Sequence, residues 1–433
     1  LKNTLLALTT AGALLAAPAY ADEARQLPEL LTKENIATLS QAMKELRAAQ
    51  GNERNMVKLL DTQAKFEFSP ELRPKLKEIF GTERPFPMQR VPGAKGQVNY
   101  VAKLAPYLWV QGNGTDFSWT ELTANISTDK AGRAMNATMA WPSLVIARQE
   151  GSASVQNMSM TSRQLRGADG VSYGTATFGI GAIIVRDAAV GGKDAKELVR
   201  FEDMQARSES VRRGSMAEIG YRSSTKAIVF GGERVERANM AFRLTNIPAK
   251  ALAELDQSLR AQEGSQLAPE AQHALMMRRM KDFGKRLIQA GAVLNLEDIS
   301  AAYRGNVAAI KGRVTFQKVV EADLDDMSAL MKKMVAHFEV RVPVALIRDI
   351  GRAIIGKSVP PDTPDAAKQV EAGADAMVSG VVGKAVTGGF AVVEKDELRS
   401  NIDFKNGQLT INGKVIDLPK VNVNLGAKQA PKE

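Results

Sequence analysis

The chain has 433 residues, no cysteine, two histidines, 58 Lys and Arg against 48 Asp and Glu, and 44% apolar residues. That is a globular composition, long enough for two or three domains or one extended sheet. The missing cysteines exclude disulfide scaffolds, thiol nucleophiles, Fe–S clusters and Cys-based zinc sites, and two histidines leave little for a His-rich centre, so neither a metal nor a cofactor is expected.

Residues 1–21 carry a lone Lys2, an apolar run over 5–15 and then Ala17-Pro18-Ala19-Tyr20-Ala21 ahead of Asp22-Glu23. This is the layout of a secretory signal peptide, with the small residues Ala19 and Ala21 placing cleavage after Ala21. The apolar run is too short to cross roughly 30 Å of hydrocarbon comfortably, so release without a transmembrane anchor is expected. Removing Lys2 with this segment takes the formal charge from +10 to +9. A basic exported chain suits anionic lipid or an acidic envelope partner; nucleic acid is not expected, because the basic clusters Arg212-Arg213, Arg278-Arg279 and Lys332-Lys333 are short and lack neighbouring stacking aromatics.

In chain order, Leu31, Ile36, Leu39, Met43 and Leu46 recur at mostly three- and four-residue spacing and predict an amphipathic helix within 27–50, capped by Thr32. Residues 82–96 are rich in Pro and Gly and read as a linker. Beyond them the period falls to two: Met135, Ala137, Met139 and Trp141 alternate with polar or small neighbours, as do Met240, Phe242 and Leu244. Such alternation predicts half-buried antiparallel strands, here a meander over 97–245.

Asn246-Ile247-Pro248 then offers a helix start for 249–262, and a second helix is expected over 269–290 with Leu275, Met276, Met280, Phe283 and Leu287 on one stripe. A strand pair is expected over 307–319, a helix over 323–336, a strand over 338–342 and helices over 343–355 and 365–384. Asn406-Gly407 between alternating runs predicts a two-residue hairpin turn, since both central positions need φ > 0. That turn pairs Phe404 with Leu409 and Ile402 with Ile411. Asn412-Gly413 repeats the signal.

The implied division is a signal peptide (1–21), an N-terminal helical region with its linker (22–96), a β meander (97–245), a two-helix insertion (246–306), a C-terminal β/α region ending in a hairpin (307–420) and a polar tail (421–433). The fold class is α+β, a long curved antiparallel meander with helices packed on it.

Gly170-Val171-Ser172-Tyr173-Gly174 matches the Gly-x-Ser-x-Gly pattern of a serine hydrolase, but the residues after it read as strand where a nucleophile elbow needs a helix. His273 and His337 both read as helical or helix-flanking. Asp323, Asp325 and Asp326 read as the acidic start of a helix, complementing its dipole.

The export segment, the β-rich middle, the two-helix interruption after Asn246-Ile247-Pro248 and the hairpin Asn406-Gly407-Gln408-Leu409-Thr410-Ile411-Asn412-Gly413-Lys414 together resemble the YdgA-like family of Gram-negative envelope proteins, a family of unknown function. The resemblance runs over about 173–418. It implies an exported, largely β protein with helical insertions and supplies no catalytic residues. Many members look anchored by an N-terminal apolar helix, whereas Ala19-Tyr20-Ala21 here points to release.

The expectation for function is a non-enzymatic periplasmic protein that binds an amphipathic or lipidic envelope component, or another envelope protein. The candidate apolar groove is lined by Met240, Phe242, Leu244, Met276, Met280 and Phe283. A serine hydrolase using Ser172 and a purely structural or assembly protein are the alternatives.

Overall fold

The computed structural model describes residues 32–51, 53–110, 114–188, 195–262, 269–360 and 362–416. The expected signal peptide and polar tail lie outside the described residues. Three helices lead the described chain: α1 (Lys33–Gln50), α2 (Met56–Lys65) and α3 (Arg73–Phe80). Thr32 caps α1, its hydroxyl accepting from the Asn35 N–H at 3.2 Å, as the sequence pattern requires. The side chain of Asn55 caps α2 in the same way. Leu60 on α2 packs against Val98, Tyr100 and Ile126 of the sheet. Ala42 on α1 meets Leu72 and Leu76.

The 18 strands of the described residues form one antiparallel sheet. They are β1 (Met88–Val91), β2 (Gln97–Leu104), β3 (Tyr107–Val110), β4 (Asp116–Trp119), β5 (Leu122–Asp129), β6 (Ala134–Arg148), β7 (Gly151–Arg166), β8 (Ser172–Asp187), β9 (Glu197–Arg213), β10 (Met216–Phe230), β11 (Glu233–Pro248), β12 (Val293–Tyr303), β13 (Asn306–Phe316), β14 (Met334–Pro343), β15 (Val392–Glu394), β16 (Glu397–Lys405), β17 (Gln408–Ile411) and β18 (Lys414–Ile416). The ladder runs β1-β2-β5 and then in chain order from β6 to β14, closing with β16-β17-β18. The β3–β4 hairpin and β15 join β6 and β16 from the side. The sheet remains open, with β1 and β18 at its two ends. Strand β9 alone has 17 residues, so the central strands are roughly 50 Å long at about 3.3 Å per residue.

Two helix pairs interrupt the meander. Helices α4 (Ala249–Gln262) and α5 (Pro269–Gln289) follow β11. After β13 come a 3-10 turn (Glu321–Asp325) and the short α6 (Met327–Lys333), and after β14 come α7 (Val344–Ser358) and α8 (Ala366–Thr387).

The main core holds Trp141, Met158 and Ile180 together with Val155 and Ile183, with Leu144, Phe201 and Met204 packed against it. Trp141 and Leu144, Met158 and Val155, Ile180 and Ile183, and Met204 and Phe201 are each three residues apart. In a regular strand such pairs point to opposite faces, yet here they share one core. The alternation therefore changes phase in mid-strand. On β7 and β9 the cause is visible in the backbone: Asn157 (φ 54) and Asp203 (φ 45) are left-handed residues between the paired positions, and Arg237 (φ 50) is left-handed on β11. They sit beside one transverse row of partners, Gln156, Ala182, Glu202, Ala227 and Glu236. A crease thus crosses β7 to β11.

Three local expectations are corrected. The helix expected over 323–336 is a 3-10 turn plus α6, because Asp326 caps a new helix through the N–H groups of Ser328 and Ala329, and from Met334 onward the chain pairs with both β13 and β16. His337 consequently lies in a strand. The strand pair expected over 307–319 is the single strand β13, whose partner β12 precedes it. The linker expected over 82–96 contains β1, which pairs with β2. The closing hairpin has the expected register, Phe404 with Leu409 and Ile402 with Ile411, with Asn406 at φ 54 and Gly407 at φ 75.

The crease predicts a contrast at one exposed position. Asn157→Val places a β-branched side chain at positive φ and lowers stability by about 1–3 kcal/mol, whereas Asn157→Gly leaves it nearly unchanged. Urea midpoints of the two variants measure the difference.

Candidate functional site

Strand pairing aligns apolar residues into rows on one face of the C-terminal half of the sheet. One row runs Tyr221, Phe242, Leu296, Gly312, Phe338 and Ile402. The next runs Met240, Ile299, Ile310 and Val340. Alternation puts their charged neighbours on the opposite face, where Arg243 Nε donates to Glu297 Oε1 at 2.8 Å.

Both helix pairs land on the apolar face, but at different places. The α4–α5 pair covers Ile219 and Leu244 with Leu252, Phe283 and Leu287, over a floor that includes Tyr173, Ala217 and Ile247. Burial and the Asp169 carboxylate push the Tyr173 phenol up to about 12. Its hydroxyl donates to Asp169 Oδ2 at 2.8 Å, and Arg212 Nη1 donates to the same oxygen at 2.9 Å. The α7–α8 pair covers Val342 and Leu398 with Ile347, Val378 and Val382.

Between the two pairs the apolar rows are uncovered. None of Tyr221, Phe242, Leu296, Ile310, Phe338 and Val340 is buried, and Met240, Leu294 and Ile299 are 37%, 42% and 38% exposed. Tyr221 and Phe242 stack with ring centroids 5.2 Å apart. Gly312 has a specific role, because a Cβ there would lie 2.2 Å from the ring of Phe338 and 2.7 Å from the His337 carbonyl oxygen. Its bare backbone lets the Phe338 ring lie across β13 and widen the apolar strip. Single exposed apolar residues are ordinary on a protein surface; a contiguous strip is the informative case.

Of the six groove residues read from the sequence, Leu244 and Phe283 meet in one cluster. Met240 and Phe242 lie on the uncovered strip next to it. Met276 and Met280 on α5 are 48% and 42% exposed and join none of the core clusters. Sequence reading missed Leu296, Ile299, Ile310, Phe338 and Val340, which complete the strip. The alternation in 294–300 and 307–316 carried part of that signal, but only pairing shows that these residues continue the Met240–Phe242 face.

Ser172 is the first residue of β8 and pairs with Arg166. The chain after it continues as strand to Asp187, so the Gly-x-Ser-x-Gly pattern forms no strand-to-helix turn. His273 lies exposed on α5. His337 Nδ1 lies 2.8 Å from Asp403 Oδ1 across β14 and β16, on the polar face, and its Nε2 lies 3.6 Å from Glu339. Among the described residues no group of three or more His, Cys, Asp or Glu is arranged to hold a metal ion. A separate cleft of about 670 Å³ lies between α1 and the segment leading into α3, lined by polar groups such as Glu34, Gln41, Lys44 and Lys75. No helix among the described residues is long and apolar enough to cross a membrane.

An open antiparallel sheet with helix pairs docked on parts of its apolar face defines an α+β protein whose most distinctive surface is apolar rather than a constellation of reactive groups. The chain belongs to a family of bacterial proteins of unknown function, DUF945, whose family model matches residues 54–419. No curated protein and no solved structure shows significant similarity to it.

Two outcomes are expected from this geometry. Gly312→Val displaces the Phe338 ring and costs about 1–3 kcal/mol, read as a lower urea midpoint. The hydrogen bond to Asp403, helped by Glu339, outweighs desolvation and holds the His337 imidazole above its ordinary value of 6.5. The pair therefore adds stability that is fully present below pH 6.5 and is lost as pH rises through the folded value. Asp403→Asn should move the His337 titration, followed by NMR, back down.

Proposed function

We propose that the chain is a non-enzymatic, exported periplasmic protein of the YdgA-like kind, and that the uncovered strip between the two helix pairs binds the apolar part of an amphipathic envelope component. The observation that carries this reading is that the rows through Phe242 and Met240 stay open from β10 to β14 while helices cover the same face on either side. Apolar sites with few polar groups at their margin suit chain-like ligands, and methionine and aromatic side chains adapt to irregular ones. The basic balance of the chain favours an anionic headgroup. Among the described residues β1 and β18 each pair on one side alone, which supports a second reading, in which another envelope protein joins by strand addition.

Native mass spectrometry of protein purified from its own envelope tests the binding reading. The expected result is a bound, solvent-extractable amphiphile that is lost in Met240→Asp/Ile299→Asp, a variant whose changed side chains are already exposed. Apo protein that also takes up no lipid from vesicles would remove the proposal. A fluorophosphonate probe is expected to leave the wild type unlabelled; labelling abolished by Ser172→Ala would instead establish the hydrolase alternative.

A further inference from the structure

The end of the sheet from which α4 and α5 project carries a surface that the strip does not explain. Strand directions place the start of β10, the end of β11, the start of β12, the end of β13 and the start of β14 together at this end. Ala249, Ala251, Leu252, Phe283 and Leu287 pack the α4–α5 pair near the sheet. Farther out along α5, Met276, Met277 and Met280 are exposed, Met277 at 55%. Arg278 stands between these methionines in sequence and Lys281 directly follows Met280. Neither forms an ion pair with a described residue, whereas Arg286 nearer the sheet is paired with Glu254.

A second exposed apolar element lies beside the helix pair. Lys285 Nζ meets Asp325 Oδ1 at 2.5 Å, tying α5 to the turn that follows β13, and that turn presents Val320 and Met327, both more than half exposed. Lys318, just before Val320, is exposed as well. The α5 face thus combines bare, flexible apolar side chains with Arg278 and Lys281, while the turn beside it sets Val320, Met327 and Lys318 among the exposed carboxylates Glu321, Asp325 and Asp326, of which Asp325 is held by Lys285, its pKa lowered also by the charge of Lys281.

We propose that this end of the molecule docks on an anionic phospholipid surface. Met276, Met277 and Met280 enter the boundary between headgroups and acyl chains, and Arg278 and Lys281 lie among the phosphates. The chemistry of α5 selects the occupant: an acyl surface satisfies the methionines, and anionic headgroups satisfy Arg278 and Lys281, which form no ion pair within salt-bridge distance among the described residues, as in interfacial helices with an apolar face and a basic face. Met276, Met277 and Met280 are exposed and join none of the core clusters, so docking needs no rearrangement of the core. The proposal does not depend on what the uncovered strip binds.

The absence of native cysteine allows a test at single sites in the full-length chain. Met277→Cys, labelled with an environment-sensitive fluorophore, should shift to the blue and be quenched by brominated acyl chains when vesicles containing phosphatidylglycerol are added. Pure phosphatidylcholine vesicles should have little effect. Leu108→Cys, at an equally exposed position on β3 (56%), should show no quenching. Adding Arg278→Glu and Lys281→Glu to the Met277→Cys protein should weaken the response roughly tenfold or more, since each cation near an anionic membrane surface contributes about 1 kcal/mol. No shift at position 277, equal quenching at positions 277 and 108, or a response indifferent to the charge reversals would each overturn the proposal. Because the readout is local, attachment through another part of the chain cannot imitate it, and failure of ligand binding on the strip leaves it unaffected.

Discussion

Backbone pairing along one continuous antiparallel ladder is the constraint on which the rest of the molecule depends. With no cysteine, the chain cannot be cross-linked by disulfides, so its order rests on hydrogen-bonded strands and on the apolar surface that those strands align. An antiparallel sheet can tolerate water on one face, and here the charged face with its Arg243–Glu297 pair takes that role. Exposed and half-exposed ion pairs of this kind contribute little, about 0–1 kcal/mol each, which leaves apolar burial on the other face as the main stabilising term. That burial is strong around Trp141, Met158 and Ile180 and weak around Met240 and Ile299.

The crease shows how a sheet this long keeps its core on one side. Left-handed residues at Asn157 and Asp203 reverse the side-chain phase within β7 and β9, so that Val155 and Met158, or Phe201 and Met204, serve the same cluster. A one-residue change of phase would otherwise send half of every long strand's apolar residues into water. The changes are in register across neighbouring strands, which is why the ladder survives them.

The two helix pairs divide the apolar face unequally. Each pair covers the sheet beside the strands that carry it: α4 and α5 sit over Ile219 and Leu244, and α7 and α8 over Val342 and Leu398. The sheet between them is wider than either pair can cover. The uncovered strip is therefore a geometric consequence of where the insertions enter the meander, and Gly312 extends it by letting the Phe338 ring lie flat. The α4–α5 insertion also carries the exposed methionines Met276, Met277 and Met280, which join none of the core clusters.

Local chemistry was legible in the sequence. Thr32 caps α1, Asn406-Gly407 sets the closing register, and the alternation through Met240, Phe242 and Leu244 marks a strand, because each follows from interactions within a few residues. The α+β class and the helix pair over 249–289 followed from the same periodicities. Long-range pairing decided the remainder. The residues expected to continue a helix to Ala336 became strand from Met334 onward because β13 and β16 were both available as partners. The Gly-x-Ser-x-Gly pattern was drawn into a ladder with β7. Met276 and Phe283, on one helical stripe, were separated, Met276 left exposed and Phe283 packed against the cluster under α4 and α5. Periodicity shows which side chains share a face; only the packed sheet, whose width exceeds that of its helices, determines which of those faces stays bare.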